Sequence, residues 1–495
     1  MAGRSCHNLT SVSIDLSLLV KAYDVRGLVP GQLSPIVAQA LGAAFARVVV
    51  LPDAAAAEPA GGAVGRPSTV IGRDMRDSGP ELVDAFARGA ASAGVDVTLI
   101  GLCSTDGLYY ASGSLDVPGA MFTASHNPAG YNGIKLCRSG ARPVGQDTGL
   151  AQIRELAQGY LDEGLPEPVA EPGKVTERDL LGDYAGFLRS LVDLSGVRPL
   201  KVVVDAGNGM GGLTVSAVLG ESAGLEGLPV RVVPLYFELD GTFPNHEANP
   251  LDPANLVDLQ AAVVANGADL GLAFDGDADR CFVVDERGDA VSPSAITALV
   301  GLAEVNKELE EGRTPTVIHN LITSRAVPDL LSAAGAAMVR TRVGHSFIKA
   351  QMAQHGAVFG GEHSAHYYFR DFWFADTGML AALHVLAALG MQDRKMSELA
   401  DEFEPYVGSG EINSTVPAAA AATERVLDAY RAAYPGIVVD TLDGLTVSHW
   451  EAHPQWWFNL RASNTEPLLR LNVEAADQDI MEKVRDEVLS LVRQD

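Results

Sequence analysis

The sequence predicts a multi-domain α/β protein, and three observations carry that prediction. At 495 residues the chain exceeds what one ordinary core supports, so two to four domains are expected. Up to about position 405, strand-like and helix-like stretches alternate as in βαβ units. From position 406 onward, helices and paired strands mix differently, as in a small α+β domain.

The elements follow in order. After Ala22-Tyr23-Asp24-Val25-Arg26-Gly27, helical patterning runs from Pro35 to Val49, and the Ala/Gly/Pro-rich stretch Pro52 to Ser68 reads as a surface loop. Strand-like Thr69 to Gly72, helical Pro80 to Ala93, strand-like Val95 to Ile100 and apolar Val117 to Phe122 complete a first α/β domain. The polar segment Gly164 to Gly173 reads as a linker. Helix-forming Glu177 to Leu194 and strand-like Lys201 to Asp205 open a second domain, which closes with strand-like Cys281 to Val284 and a hairpin turn at Glu286-Arg287-Gly288. Helical Ser294 to Leu309, strand-like Thr316 to Ile318, helical Ala326 to Ala334 and strand-like Met338 to Val343 make a third. The tail offers helical Ala419 to Ala433, strand pairs at Val438 to Val447 and Trp456 to Val473, and an amphipathic helix from Asp477 to Arg493. The expected division is 1–175, 176–290, 291–405 and 406–495.

Composition narrows the partners. Against 36 Lys plus Arg stand 63 Asp plus Glu, a formal charge of -27, which argues against a nucleic-acid backbone or an anionic membrane. Cys6, Cys103, Cys137 and Cys281 are scattered without CxxC pairs, as suits buried thiols in a reduced compartment. The short apolar run Leu16 to Val20 is flanked by charge, and no uninterrupted apolar stretch approaches the roughly 20 residues that span a bilayer. A cytoplasmic protein is expected, with its oligomeric state open between a monomer and a weak dimer.

Four segments carry chemistry. Ser125, in the polar turn Thr123-Ala124-Ser125-His126-Asn127-Pro128, is a candidate phosphate carrier. Asp275-Gly276-Asp277-Ala278-Asp279-Arg280 sets three carboxylates at alternate positions; in an extended strand they would point to one side and converge on a hard divalent cation. Glu286 falls at the twelfth position from Asp275, but Arg280 stands where a calcium-binding loop needs glycine. Gly361-Glu362-His363-Ser364-Ala365-His366 offers donors and acceptors suited to sugar hydroxyls. Arg461-Ala462-Ser463-Asn464-Thr465-Glu466-Pro467 and Arg470 supply what a phosphate dianion needs. Gly207-Asn208-Gly209-Met210-Gly211-Gly212 also matches a dinucleotide fingerprint, with Glu238 near the place of a ribose-binding acid, although tight strand-to-helix turns select glycine without any cofactor.

Taken together, Tyr-Asp-Val-Arg-Gly at 23–27, the serine turn with Asn132-Gly133-Ile134-Lys135, the aspartate loop, Gly-Glu-His-Ser-Ala-His at 361–366 and Arg-Ala-Ser-Asn-Thr-Glu-Pro at 461–467 resemble the α-D-phosphohexomutase superfamily, specifically its bacterial phosphomannomutase/phosphoglucomutase branch. The resemblance covers nearly the whole chain and implies four domains around a central active-site cleft. It implies a phosphate on Ser125, with Mg2+ held by that phosphate and by Asp275, Asp277 and Asp279. Arg280 would add positive charge there, and Arg26, His126 and Lys135 would lie near the phosphoserine. Glu362, Ser364 and His366 would hold the sugar; Arg461, Ser463, Asn464, Thr465 and Arg470 would hold the phosphate that is not reacting. His345 would face the substrate as an acid/base group. The implied reaction moves phosphate between C6 and C1 of a hexose through a hexose 1,6-bisphosphate.

One departure stands out: Ile322 occupies the position where the family's bacterial phosphomannomutases carry lysine, with Arg325 nearby. The expected substrates are mannose 6-phosphate and mannose 1-phosphate, with glucose phosphates also turned over, because the sugar loop reads Glu-His-Ser-Ala-His rather than the Glu-Gln-Ser-Gly-His style of phosphoglucosamine mutases. A phosphoglucosamine mutase is the near alternative, a dinucleotide-dependent oxidoreductase a distant one and a non-catalytic metal-binding protein the last.

Overall fold

The computed structural model describes residues 14–56, 65–462 and 468–494, with backbone alone for His345 and Ser346. The chain divides into two compact units: Met1–Leu181 with Leu239–Glu247, and Gly182–Glu238 with Ala248–Asp495.

In the first unit a mixed sheet runs in the order Asp24–Leu28, Tyr131–Arg138, Gly119–Phe122, Ser68–Arg73, Asp96–Leu102, Val175–Glu177, with Arg142–Pro143 paired to the second of these. Its last four strands are parallel, joined through the helices Gly79–Ser92 and Thr105–Leu115. Two expectations change here. The first helix continues past Val49 through a π segment, Ala46–Val50, into Leu51–Ala56, so the start of the expected loop is helical. Pro52 is accommodated directly after the π segment, which already departs from the α-helical hydrogen-bond pattern, as in the Leu51 N–H to Ala46 carbonyl bond. Residues 57–64 of the loop lie outside the described residues. The second change is at Glu177, which ends the edge strand Val175–Glu177 rather than opening a helix; the helix starts at Leu181, whose N–H donates to Asp179 Oδ1 (2.9 Å). The expected linker is likewise packed down: a Cβ on Gly173 would lie 1.8 Å from the Val95 carbonyl oxygen.

The continuous helix Pro35–Ala56 is long and apolar enough to cross a membrane by length and composition, yet it contributes Val37, Leu41, Phe45 and Val49 to the domain core. It packs tightly on Gly79–Ser92. A Cβ on Gly42 would lie 2.1 Å from the Phe86 carbonyl oxygen, and one on Gly89 the same distance from that of Gln39, so two glycines set the crossing.

The second unit holds three sheets. One runs Ala290–Val291, Cys281–Asp285, Leu270–Phe274, Leu200–Asp205, Val230–Leu235, and a second runs Ala337–Thr341, Thr316–Asn320, Phe359–Gly361, Tyr367–Phe369, Ala375–Asp376. The third is wholly antiparallel: Val407–Thr415, Leu468–Ala475, Trp456–Ala462, Leu445–Ser448, Val438–Asp440. One face of it packs Phe458, Leu460, Leu471 and Val473 in a core with Val426 and Tyr430 of the helix Ala419–Ala433 and Met481, Val484 and Val488 of the helix Gln478–Val492. On alternate positions Trp457, Asn459 and Arg461 lie opposite Glu474, Asn472 and Arg470. The architecture is therefore three α/β domains and a C-terminal α+β domain.

A single buried arginine fixes the backbone of the serine turn. Arg76, 1% exposed, follows the strand Ser68–Arg73. Its guanidinium donates to four main-chain carbonyls: Pro128 and Tyr131 (both 2.9 Å), Ser125 (2.9 Å) and Asn127 (2.6 Å). Asp74, 0% exposed, accepts from Arg76 Nε (3.2 Å) and from its N–H (3.1 Å). The guanidinium lies 5.2 Å from the Phe243 ring centroid, and Gly241 carries no Cβ where one would meet Arg76 Cα at 2.8 Å. Loop carbonyls buried without donors would each carry a desolvation cost, and Arg76 supplies them from one side chain.

Two stability predictions result. Arg76→Met should cost about 3–5 kcal/mol in denaturant unfolding, because it removes the buried ion pair with Asp74 and the four bonds to carbonyl acceptors; a loss below about 1 kcal/mol would show that the turn holds itself. Gly89→Ala should cost about 1–3 kcal/mol by overpacking the helix crossing, whereas the half-buried Gly159→Ala, with nothing near its Cβ position, should not destabilise.

Candidate active site

Ser125 stands in the turn between the strands Gly119–Phe122 and Tyr131–Arg138, 4% exposed, with φ 50°. That left-handed backbone is sparsely populated by non-glycine residues and is sustained here by neighbours. The Ser125 N–H donates to Thr123 Oγ1 (2.8 Å), its carbonyl accepts from Arg76, and its Oγ lies 3.2 Å from His126 Nδ1. Arg26 comes in from the adjacent strand Asp24–Leu28, donating to Asp24 (2.7 Å), the Ala124 carbonyl (3.4 Å) and the Asn127 side chain. Lys135, on Tyr131–Arg138, is in register with Asp24. Gly133 between them is required: a Cβ there would lie 2.3 Å from the Val25 carbonyl oxygen and 2.7 Å from that of Thr123. The first unit thus gathers Ser125, His126 and Arg26 around one turn, with Lys135 on the strand that follows it.

In the second unit the aspartates converge, but not by strand alternation. They occupy the turn between Leu270–Phe274 and Cys281–Asp285, closed by the Ala278 N–H to the Asp275 carbonyl (3.0 Å), with Ala278 at φ 58°. A turn replaces the expected extended strand because the two flanking strands are antiparallel neighbours and the chain must reverse between them. Carboxylate oxygens of Asp275, Asp277 and Asp279 lie within 4.8 Å of one another, each residue 0–2% exposed. Arg280 donates to Asp275 Oδ2 through Nη2 (2.7 Å) and Nε (3.0 Å), and lies 3.9 Å from Asp279. Burial works against its charge, and Asp275 and then Asp279 outweigh burial, so its pKa moves up. Three carboxylates against one guanidinium leave two negative charges among these four groups, and an all-oxygen donor set fits a hard divalent cation such as Mg2+.

The glycine-rich turn serves this loop. The Met210 N–H donates to the Gly276 carbonyl (2.9 Å), a Cβ on Gly209 would lie 2.7 Å from that oxygen, and one on Gly212 would lie 2.2 Å from the Phe237 carbonyl oxygen. These glycines are needed for backbone approach within the domain, which removes the reason to assign them to a dinucleotide.

The loop Glu362–His366 turns between Phe359–Gly361 and Tyr367–Phe369, with Ala365 at φ 65°. Glu362, 2% exposed, accepts from Tyr368 Oη (2.6 Å), Asn320 Nδ2 (3.0 Å) and the Gly344 N–H (3.3 Å). Burial, reinforced by Glu362, raises the Tyr368 pKa well above its ordinary value, so the phenol stays a donor. Ser364 Oγ lies 3.1 Å from His366 Nδ1, and His366 Nε2 lies 3.6 Å from Asp279 Oδ1. His363 turns instead to Ser294 Oγ (3.0 Å), and burial lowers its pKa. His345 is the first residue of the helix His345–His355. Arg325 does not offer a free replacement for the lysine absent at Ile322: its guanidinium donates to Asp329 (2.8 Å) and lies over Trp450.

Arg461 and Arg470 face each other across the C-terminal hairpin and share Glu411, at 3.4 and 3.3 Å. Ser463, Asn464 and Thr465 lie outside the described residues. Residues that sequence reasoning passed over are Arg76 and Asp74 under the serine turn, Tyr368 and Asn320 on Glu362, and the buried pair Lys349 and Asp376 (2.6 Å) beside His366. The one signal available was a charged Asp-x-Arg directly after an apolar strand.

Comparison with known proteins agrees with this geometry. Family models match all four domains: phosphoglucomutase/phosphomannomutase alpha/beta/alpha domain I at residues 17–161, domain II at 183–288, domain III at 292–406, and the C-terminal domain at 411–491. A phosphomannomutase of Escherichia coli K12 is 37% identical over 478 residues, covering 96% of this chain and 98% of that protein. A protein of Xanthomonas campestris pv. campestris named for phosphohexose mutases is 38% identical over 476 residues, covering 96% and 98%. Among solved structures, a phosphoglucomutase/phosphomannomutase family protein from Burkholderia thailandensis superposes with a TM-score of 0.79 at 29% identity, covering 96% of this chain and 97% of that one. With four domain models matched in order and relatives this similar along almost its full length, the chain belongs to the phosphoglucomutase/phosphomannomutase family and is a phosphohexomutase, an intramolecular phosphotransferase.

Proposed function

We propose that this phosphohexomutase interconverts mannose 6-phosphate and mannose 1-phosphate through a phosphate carried on Ser125, and that it also turns over the glucose phosphates. The observation that carries the reading is the serine turn. A hydroxyl is held in a left-handed backbone position beside His126 and Arg26, with the loop carbonyls tied to Arg76. The names of relatives 37 and 38% identical over nearly the whole chain support mannose as the sugar.

In the forward half-reaction the P–O bond to Ser125 Oγ breaks as a new P–O bond forms to the free hydroxyl of the hexose monophosphate. The hydroxyl proton leaves the sugar, and the serine oxygen ends protonated. His126, 3.2 Å from Oγ, is placed to carry that proton, while Arg26 and Lys135 supply positive charge to the transferring group. The hexose 1,6-bisphosphate formed must turn round so that its other phosphate returns to Ser125; the reverse bond changes complete the isomerisation. Asp275, Asp277 and Asp279 would hold Mg2+, which when bound neutralises negative charge on the transferring phosphoryl. Glu362, Ser364 and His366 orient ring hydroxyls in both poses, and Arg461 and Arg470 with Ser463, Asn464 and Thr465 hold the phosphate at rest. Glu411 balances the two arginines when no phosphate is there.

Turnover of mannose 6-phosphate, glucose 6-phosphate and glucosamine 6-phosphate tests the substrate. The expected kcat/KM is highest for mannose, within about tenfold for glucose, and lower by about a hundredfold or more for glucosamine. Ser125→Ala should remove turnover of all three while leaving the unfolding midpoint within a few degrees of wild type. A preference for glucosamine 6-phosphate would make the enzyme a phosphoglucosamine mutase, and mutase activity retained by Ser125→Ala would contradict the phosphoserine mechanism.

A further inference from the structure

We infer that Lys349 and Asp376 form a positioning pair that tunes the field at the aspartate cluster through Asp279 and His366. The inference rests on the reading that the cluster holds Mg2+. Asp376 ends the strand Ala375–Asp376, directly before Thr377, whose Oγ1 caps the helix Gly378–Gly390 by accepting from the Leu380 N–H (3.1 Å). That helix start is pressed on the aspartate loop: a Cβ on Gly378 would lie 2.9 Å from the Arg280 carbonyl oxygen. Asp376 therefore has little freedom to move away from the loop.

Ligand atoms of Asp376, His366 and Asp279 lie within 4.8 Å of one another, and Asp279 is at the same time one of the three converging carboxylates. Lys349, on the helix His345–His355, closes the chain of charges with Nζ 2.6 Å from Asp376 Oδ1, the two side chains 3 and 4% exposed. Its ammonium also lies 5.9 Å from the Tyr368 ring, whose hydroxyl holds Glu362. A buried lysine and a buried aspartate need each other to offset desolvation, which is the ordinary structural role of such a pair. What distinguishes this one is its neighbour. In a low-dielectric interior the carboxylate of Asp376 adds negative potential at Asp279, and Lys349 tempers it.

The two partners should therefore shift Mg2+ affinity in opposite directions. A pair that served folding alone would lose affinity from either side. Calorimetric titration of Mg2+ into the full chain, with the Ser125 phosphorylation state matched by intact mass, reads this directly. Asp376→Asn removes a negative charge beside Asp279 while keeping the lysine charge and should weaken Mg2+ binding by about tenfold, whereas Lys349→Met keeps the carboxylate and should tighten it by about tenfold. The double variant, with the charge of both partners removed, should fall within about threefold of wild type, as should Lys349→Arg. If Lys349→Met does not fold, Lys349→Gln, which keeps a donor for Asp376, takes its place. A ratio below about tenfold between the dissociation constants of the Asp376 and Lys349 variants would overturn the pair's role. An Asp277→Asn chain that binds Mg2+ as well as wild type would instead overturn the metal site on which the inference rests.

Discussion

The first unit depends on one buried interaction, the fan of hydrogen bonds from Arg76 to the carbonyls of Ser125, Asn127, Pro128 and Tyr131. A phosphate carrier has to present its oxygen at a fixed place while gaining and losing about two charges. A flexible turn would spend conformational entropy on every transfer. Here the turn is fixed from beneath by a guanidinium that bonds its main-chain carbonyls, and its backbone is held in the left-handed region at Ser125. Asp74 neutralises the arginine, and the segment at Gly241 and Phe243 covers it.

In the second unit the governing constraint is charge. Asp275, Asp277, Asp279, Glu362 and Asp376 are all buried, and Arg280 and Lys349 are buried cations bonded to two of them. Such an arrangement is costly unless further positive charge is supplied, as a divalent cation at the aspartates would do. The neighbouring backbone is shaped to allow it. Gly209 lets the Gly276 carbonyl approach, Gly378 lets a helix start against Arg280, and the phenol of Tyr368 donates to Glu362. The serine, aspartate and glutamate–histidine turns each hold a non-glycine residue at positive φ: Ser125, Ala278 and Ala365. Strain of that kind is retained where geometry at a site outweighs local comfort.

Much of this was legible in the sequence. Runs of β-branched residues such as Lys201 to Asp205 announced strands, and the serine, aspartate, glutamate–histidine and arginine motifs stood out by their chemistry. The aspartates were rightly paired with one another for a partly wrong reason, since convergence comes from a turn closed at Ala278 and not from strand alternation. The helical continuation to Ala56 was hidden because Pro52 reads as a breaker until a π segment is seen directly before it. Arg76 was hidden for another reason. Its partners are main-chain carbonyls 49 to 55 residues away, and no side-chain pattern records them. Lys349 likewise looks like any helix lysine until the fold brings Asp376 to it.

The central claim is that Ser125 carries the phosphate. Intact-protein mass spectrometry of the purified enzyme, with peptide mapping, before and after incubation with a hexose 1,6-bisphosphate and then with mannose 6-phosphate and Mg2+, tests it most directly. The account predicts one phosphate mass on the peptide containing Ser125, gained from the bisphosphate and lost to the monophosphate. A serine that stays unmodified throughout, in an enzyme that still isomerises the sugar, would contradict it.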